Sequence, residues 1–420
     1  MNKKNKIISI IVSVVIAVVA FFGGYVARYY FADDDVRAIR DLVEKYKKHY
    51  YYDDGNIVKD ISNAILDEYS TYYTAEEFQE ILNGAQGNFK GIGLGFTIDS
   101  LYVATVLGNS PCEKAGVKSG GTLTAINFGS GDFPVKNIDE FTAVLNSVPD
   151  DKDFTITINY GGVLKEFTVA KKDYKRTYVH YYDNLGYYGF SDASGEMQLV
   201  KLSDNSVIEN SSVGYIVYES FNGTDNNLNG SAKQIEEVLN KFKLDGKKDI
   251  IFDLRDNGGG YMDILSKVVS HFIDAGDNKK ALISVAIDKY GKREEFFSSK
   301  CDYSKYGFEN IIILANENSA SASEAFIGAV LDYDKNGIVK VLVSSSISKG
   351  EKVYRTYGKG IMQNTFINLD GSAVKLTTAE IFWPVSNVSI HKKGVVGEDT
   401  GKVLKVEKEN ALNYALELLK

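Results

Sequence analysis

Apolar positions change their spacing several times along the chain, and each change predicts a different kind of element. Residues 7–26, IISIIVSVVIAVVAFFGGYV, carry no charge; at 1.5 Å per residue such a helix is about 30 Å long, the thickness of a bilayer's hydrocarbon core. Between residues 35 and 85 the apolar positions recur at three and four. Val36, Ile39, Leu42, Val43 and Tyr46, then Ile57, Ile61, Ala64 and Ile65, predict two or three short helices. Thr74 with Glu77 forms a capping box that opens a further helix with Phe78, Ile81 and Leu82 on its apolar face. From 87 to 173 the period falls to two in LYVATVL, TLTAINF, FTITINY and LKEFTVA, with one helical stretch, IDEFTAVLNSV. This is the pattern of a small strand-rich module. Beyond residue 175, apolar strands such as VGYIVYESF, DIIFDL and NIIILA alternate with helical stretches, which predicts βα units in an α/β domain. DIIFDL and NIIILA are apolar on both faces, as strands covered on both sides must be. The expected organisation is a tail and anchor at 1–31, a helical segment at 32–86, a strand-rich module at 87–173 and an α/β core at 174–420.

Charge sets the direction of the anchor. Lys3, Lys4 and Lys6 precede the apolar run and Asp33, Asp34 and Asp35 follow it, so the N-terminus is expected in the cytoplasm and the remainder on the extracytoplasmic side of the cell membrane, single-pass. The competing reading is a cleaved signal peptide and a secreted protein. At 44% hydrophobic and 25% charged residues the 420-residue chain has a globular composition, and a net charge of −8 argues against nucleic acid as a partner. Cys112 and Cys301 stand far apart in sequence and fit neither a disulfide framework nor a zinc cluster. His49, His180, His271 and His391 occur singly, as solvated or core histidines do. No metal and no organic cofactor is expected.

Three polar runs in the α/β region could carry chemistry. In IIILANENSASASEAFIGAVL a strand feeds a helix through small residues, and a serine there would lie beside unpaired helix amides. Spacing alone favours a cap, since Ser321 and Glu324 form a capping box. The run DLRDNGGG at 253–260 places three glycines at the carboxyl end of a strand, where exposed amides could hold an oxyanion; alone it reads as a flexible turn. In TYGKGIMQ at 356–363, Lys359 stands between two glycines without P-loop spacing, and alone it reads as a surface lysine. A lysine acts as general base near neutrality only if burial lowers its pKa from about 10.4 to about 7–8, worth roughly 4 kcal/mol.

Together and in this order, the three runs resemble the motifs of the carboxyl-terminal processing peptidases, serine proteases with a Ser-Lys dyad. The resemblance extends from STYYTAEEF to GVVGED. It implies a ClpP/crotonase-like α/β core, Ser321 as nucleophile, Lys359 as general base, Gln363 as the residue that orients it, and an oxyanion hole from Gly258 or Gly259 with Ala322. Asn318 replaces the first glycine of the family's GSASASE box. The serine-to-lysine interval exceeds the family's usual one by about a dozen residues, which implies an inserted loop near VSSSISKGEKVYR and offers Lys349 as a rival base. Only Lys359 has the matching Thr, Gly, Gly and Gln neighbours. Within the strand-rich module, Gly91-Ile92-Gly93-Leu94-Gly95-Phe96 precedes NSPCEKAGVKSG, which resembles the helix-turn signature of PDZ domains, with Gly121 at a position usually held by aspartate. This implies capture of a substrate's C-terminus by residues 91–96, along an edge strand at 94–98. The expected function is a membrane-anchored extracytoplasmic serine endopeptidase acting on protein or peptide substrates. The alternatives are a catalytically silent PDZ-type binding protein and an acyl-CoA enzyme of related architecture. Substrate, oligomeric state and any activating partner are not written in the motifs.

Overall fold

The computed structural model describes residues 33–50, 55, 57–97, 100–129, 131–192, 196–202, 207–276, 279–348 and 350–420. The apolar run at 7–26, Ile98 and Lys349 lie outside them. No helix among the described residues is long and apolar enough to cross a membrane. The chain divides into two units between Tyr73 and Thr74.

The first unit contains helices Asp34–His49 and Ile57–Ile65 and strand Thr71–Tyr73, where the three-and-four spacing predicted helices. Asp33 caps the first helix by accepting the Asp35 amide at 3.0 Å. Acidic residues in its first turn and Lys47, Lys48 and His49 in its last suit the helix dipole.

The second unit opens with helix Ala75–Ala85. Its capping box is formed: Thr74 Oγ1 accepts the Glu77 amide at 3.2 Å, and Glu77 Oε2 accepts the Thr74 amide at 2.9 Å. A strand-rich region follows. Strands Thr122–Phe128, Gly131–Pro134, Asp153–Tyr160 and Val163–Ala170 form one antiparallel sheet, and Leu94–Phe96 pairs with Val103–Val106 in another. Alternation turns Phe154, Ile156 and Ile158 inward, where they join Ile92, Val103, Leu123 and Ile126 in a core of their own. Gly121 belongs to this packing. A Cβ there would lie 2.5 Å from Ile158 Cγ2 and 2.8 Å from the Tyr160 ring, so the position that departs from the PDZ signature is filled by neighbouring side chains.

The α/β region is built on an eight-stranded sheet. Strands Val213–Tyr218, Asp249–Asp253, Asn310–Ala315, Val339–Ser344 and Val403–Val406 run parallel in that order; Val179–Asp183, Gly186–Ser191 and Gln198–Lys201 extend the first edge antiparallel. Helices Ser231–Leu244, Met262–Val269 and Ala322–Tyr333 bury their apolar residues in one core, and Ala411–Glu417 contributes to a second, in which alternate residues of the same strands take part. A second sheet joins Arg293–Phe297, Leu282–Asp288, Ala373–Phe382 and Ile361–Ile367. Every residue of helix Ala322–Tyr333 from Ala322 to Val330 is buried. Gly328 admits the Trp383 indole so closely that a Cβ would lie 2.2 Å from its nitrogen. A helix packed on all sides cannot easily shift, and whatever its N-terminus carries is held with it.

Candidate active site

Three turns meet where the parallel strands end, and polar side chains lock them together. Asn316 Oδ1 accepts the Asp256 amide at 2.9 Å, while the side-chain amides of Asn316 and Asn318 donate to Asp256 Oδ1 at 2.9 and 2.8 Å. Asn318 thus helps hold Asp256, whose φ is +62°. Ser319 Oγ donates to the Leu254 carbonyl at 2.7 Å and Ser323 Oγ to the Asn257 carbonyl at 2.8 Å. The serines on either side of Ser321–Ala322 therefore spend their hydroxyls on the neighbouring turn. Ser321 itself has φ 56° and ψ −114°, outside the extended backbone of an ordinary N-cap and costly for a residue with a Cβ. Such strain persists only where surrounding bonds dictate it.

Gly259, with φ +100°, presses against this corner. A Cβ on it would lie 2.7 Å from the Ala320 carbonyl oxygen, 2.8 Å from the Ala322 nitrogen and 2.9 Å from Ser321 Cβ. Its amide donates to Asn257 Oδ1 at 2.9 Å, and its carbonyl accepts the Phe221 amide at 3.0 Å and Ser220 Oγ at 3.1 Å. The amides of Gly258 and Ala322 donate to no acceptor among the described residues. Asp253 and Arg255, in the same run, turn to structural work: Arg255 makes a charge-assisted fork onto the buried Asp253 carboxylate, which also accepts the Tyr215 hydroxyl.

Lys359 reaches the same corner through its backbone. Gly358, at φ +89°, and Gly360 pack against residues 390–394; a Cβ on Gly360 would lie 2.6 Å from the His391 nitrogen. The link to Ser321 is the carboxylate of Glu324, which is fully buried. Its Oε2 accepts the amides of Ser321 at 3.0 Å and Lys359 at 2.9 Å; its Oε1 accepts the Gly358 amide at 2.8 Å and the Thr356 hydroxyl. Burial pushes this carboxyl's pKa up, and the four donors pull it down. Two bonds to one oxygen keep the amide nitrogens of Ser321 and Lys359 within about 6 Å of each other. Gln363 lies half-buried on strand Ile361–Ile367, at the register step after Met362 and opposite Thr377. Residues 91–96 are not part of this cluster: Ile92 is buried in the strand-rich core, and Leu94 and Phe96 pack against it.

The chain is similar to several known proteins. Residues 212–398 match the model of peptidase family S41, and the span includes all three runs. Over these residues the chain is similar to that family. It is 29% identical over 353 residues to a probable CtpA-like serine protease of Staphylococcus aureus (strain N315), covering 83% of this chain and 60% of that protein. A probable CtpA-like serine protease of Staphylococcus saprophyticus is 27% identical over 375 residues, covering 86% and 64%. The chain thus spans about three-fifths of the length of these curated relatives. Among solved structures it is similar to the photosystem II D1 C-terminal processing protease, with a TM-score of 0.53 and 19% identity over 87% of this chain and 86% of that one, which establishes a shared α/β fold.

The residues that connect the three runs were the ones least visible in the sequence. The Ser321–Glu324 spacing reads as a capping box, and the box is present, with Glu324 accepting the Ser321 amide. The same carboxylate also holds the lysine-bearing turn. That second duty depends on Thr356, Gly358 and Lys359, more than 30 positions away, and no local pattern announces it. Asn257 was equally silent: its Oδ1 accepts the Gly259 amide and its Nδ2 donates to the Tyr218 carbonyl at 2.7 Å. The run before Lys359, expected as an inserted loop, contains the paired strands Ser346–Ser348 and Glu351–Val353. Glu407 anchors its base, accepting from Tyr354, Lys352 and Ser345, and these partners hold its carboxyl down at about 2.

Proposed function

We propose that this chain is a membrane-anchored, extracytoplasmic serine endopeptidase that cleaves proteins with Ser321 as nucleophile and Lys359 as general base. The observation that carries the reading is the single buried Glu324 carboxylate on which the Ser321 and Lys359 amides converge. Lys359 Nζ takes the Ser321 hydroxyl proton as the oxygen attacks the peptide carbonyl, and Gln363 orients the lysine. The oxyanion is received by the Gly258 and Ala322 amides; Gly259 is the weaker candidate, because its amide is already bonded to Asn257. Collapse of the tetrahedral intermediate breaks the C–N bond, and the proton held by Lys359 goes to the leaving amine. Water then hydrolyses the acyl-serine ester, with Lys359 accepting the water proton and returning it to the departing Ser321 oxygen. No metal or organic cofactor enters these steps.

The strand-rich module is read as a PDZ domain. Strand Leu94–Phe96 has one partner, Val103–Val106, among the described residues, so its other edge can receive a peptide as an added strand. Phe96 and Phe141 meet edge to face at 5.1 Å, packing helix Ile138–Ser147 against that strand. The substrate carboxylate would lie on the amides of the Gly91–Ile92–Gly93 turn, with Leu94, Gly95 and Phe96 pairing to the peptide backbone. Capture of one end raises the effective concentration of the chain to be cut. The test is cleavage of an unstructured protein with an apolar C-terminus by the full-length chain in detergent. Ser321→Ala and Lys359→Ala should each lower turnover by about a thousandfold or more. Binding of C-terminal peptides without cleavage by any form would favour a silent binding protein instead.

A further inference from the structure

His180 sits on strand Val179–Asp183 with 3% of its surface exposed, between two carboxylates from different parts of the fold. Its Nδ1 is 3.3 Å from Glu219 Oε1 and its Nε2 is 3.4 Å from Glu113 Oε1. Glu113 belongs to helix Pro111–Lys114 of the strand-rich module; Glu219 directly follows the core strand Val213–Tyr218. The ring is gripped from both sides, since a Cβ on Gly108 or Gly189 would lie 2.9 or 2.8 Å from it, and Tyr187 stacks on it at 5.5 Å. The other charge bonded to the pair is Arg176, at 3.0 Å from Glu219, while Asp192 is bonded to Asn109 and faces Lys114 at 3.8 Å. Glu113 and Glu219 carry two negative charges against the one guanidinium, which is bonded to Glu219, and a proton on His180 cancels the remainder.

Beyond Glu219 the chain runs straight to the candidate active site. Ser220 Oγ donates to the Gly259 carbonyl at 3.1 Å, the Phe221 amide donates to the same carbonyl at 3.0 Å, and the Tyr261 amide donates to the Phe221 carbonyl at 2.9 Å. We propose that His180, as an imidazolium clamped between Glu113 and Glu219, is a positioning residue that sets the 219–221 segment and through it the Gly259 turn beside Ser321. The catalytic part of this inference rests on the proposed function; the positioning part does not. The flanking carboxylates raise the histidine's pKa to about 9 against its burial. The clamp is therefore complete below about 6.5, the ordinary histidine value, and is lost as pH rises through about 9.

The test compares full-length wild type, His180→Gln and the less buried Glu113→Gln. By amide hydrogen exchange, Phe221 and Tyr261 should exchange about tenfold faster in His180→Gln at pH 7, and less so in Glu113→Gln, while strand Asn310–Ala315 keeps its protection. Unchanged exchange at Phe221 and Tyr261 would overturn the inference whether or not the chain cleaves anything. With an active wild type, kcat should fall about tenfold in His180→Gln with KM unaltered, and the decline of wild-type kcat above pH 9 should disappear. A variant with wild-type kcat and the same alkaline decline would remove His180 from the machinery while leaving the protease reading intact. Wild type without cleavage, but with faster exchange in His180→Gln, would sink the protease reading and keep the positioning role.

Discussion

The corner around Ser321 and the edge of strand Leu94–Phe96 are built on opposite principles. At the corner, almost every polar group that can be spent on holding the backbone is spent: Ser319, Ser323, Asn316, Asn318 and Glu324 bond to turns distant in sequence, and Asn257 bonds to Gly259 in its own turn and to the distant Tyr218 carbonyl. At the module's edge, a three-residue strand has a partner on one side only among the described residues. The contrast fits the role proposed for each place. Stabilising a transient oxyanion requires donors already fixed before the charge develops, because reorganisation during the reaction would consume the gain. Receiving a peptide as an added strand requires unpaired backbone groups, and these are satisfied only when the peptide arrives.

This comparison can be broken at its most rigid point first. Glu324→Ala leaves four buried donors without their acceptor and should cost about 3–5 kcal/mol of stability with a loss of activity of at least about a hundredfold, measured by denaturant unfolding and turnover. Stability within 1 kcal/mol of wild type would mean that the shared carboxylate is incidental. Gly259→Ala comes next. The methyl has no room and the backbone no suitable φ, so unfolding should shift by about 2–3 kcal/mol and residual turnover should drop in the same preparation.

The open edge should respond to changes in the ligand more than in the protein. Amidating the C-terminus of a bound peptide should weaken its affinity about tenfold by fluorescence anisotropy, because the charge facing the turn amides is lost. Equal affinity for acid and amide would rule out carboxylate recognition at residues 91–93. Gly121→Ala, set against Ile158 and Tyr160, should destabilise the module by only about 1 kcal/mol and leave the kcat of the folded protein unchanged. A fall in kcat would show that packing strain in the module is felt at Ser321, which would sharpen the role inferred for His180.

Much of the fold could be read from periodicity. Three-and-four spacing matched helices Asp34–His49 and Ile57–Ile65, alternation matched strand Asp153–Tyr160, and doubly apolar runs matched the central strands Asp249–Asp253 and Asn310–Ala315. These patterns are legible because a helix or strand exposes its own repeat to one environment at a time. Site residues were legible only as runs of unusual composition, each with a plain structural reading when taken alone. Gly258 and Gly259 could not be told apart in sequence, since the difference is a bond from one of their amides to Asn257.

By itself, then, the order of residues determined which segments are strands, which are helices and which three turns are rich in glycine, serine and amides, since these depend on neighbours within a few positions. Tertiary structure alone decided that Glu324 would serve two motifs, that Asn318 would hold Asp256, and that His180 would lie between carboxylates of two cores. Each of those outcomes joins groups tens of residues apart, with a strength set by burial and distance. No spacing along the chain encodes either quantity.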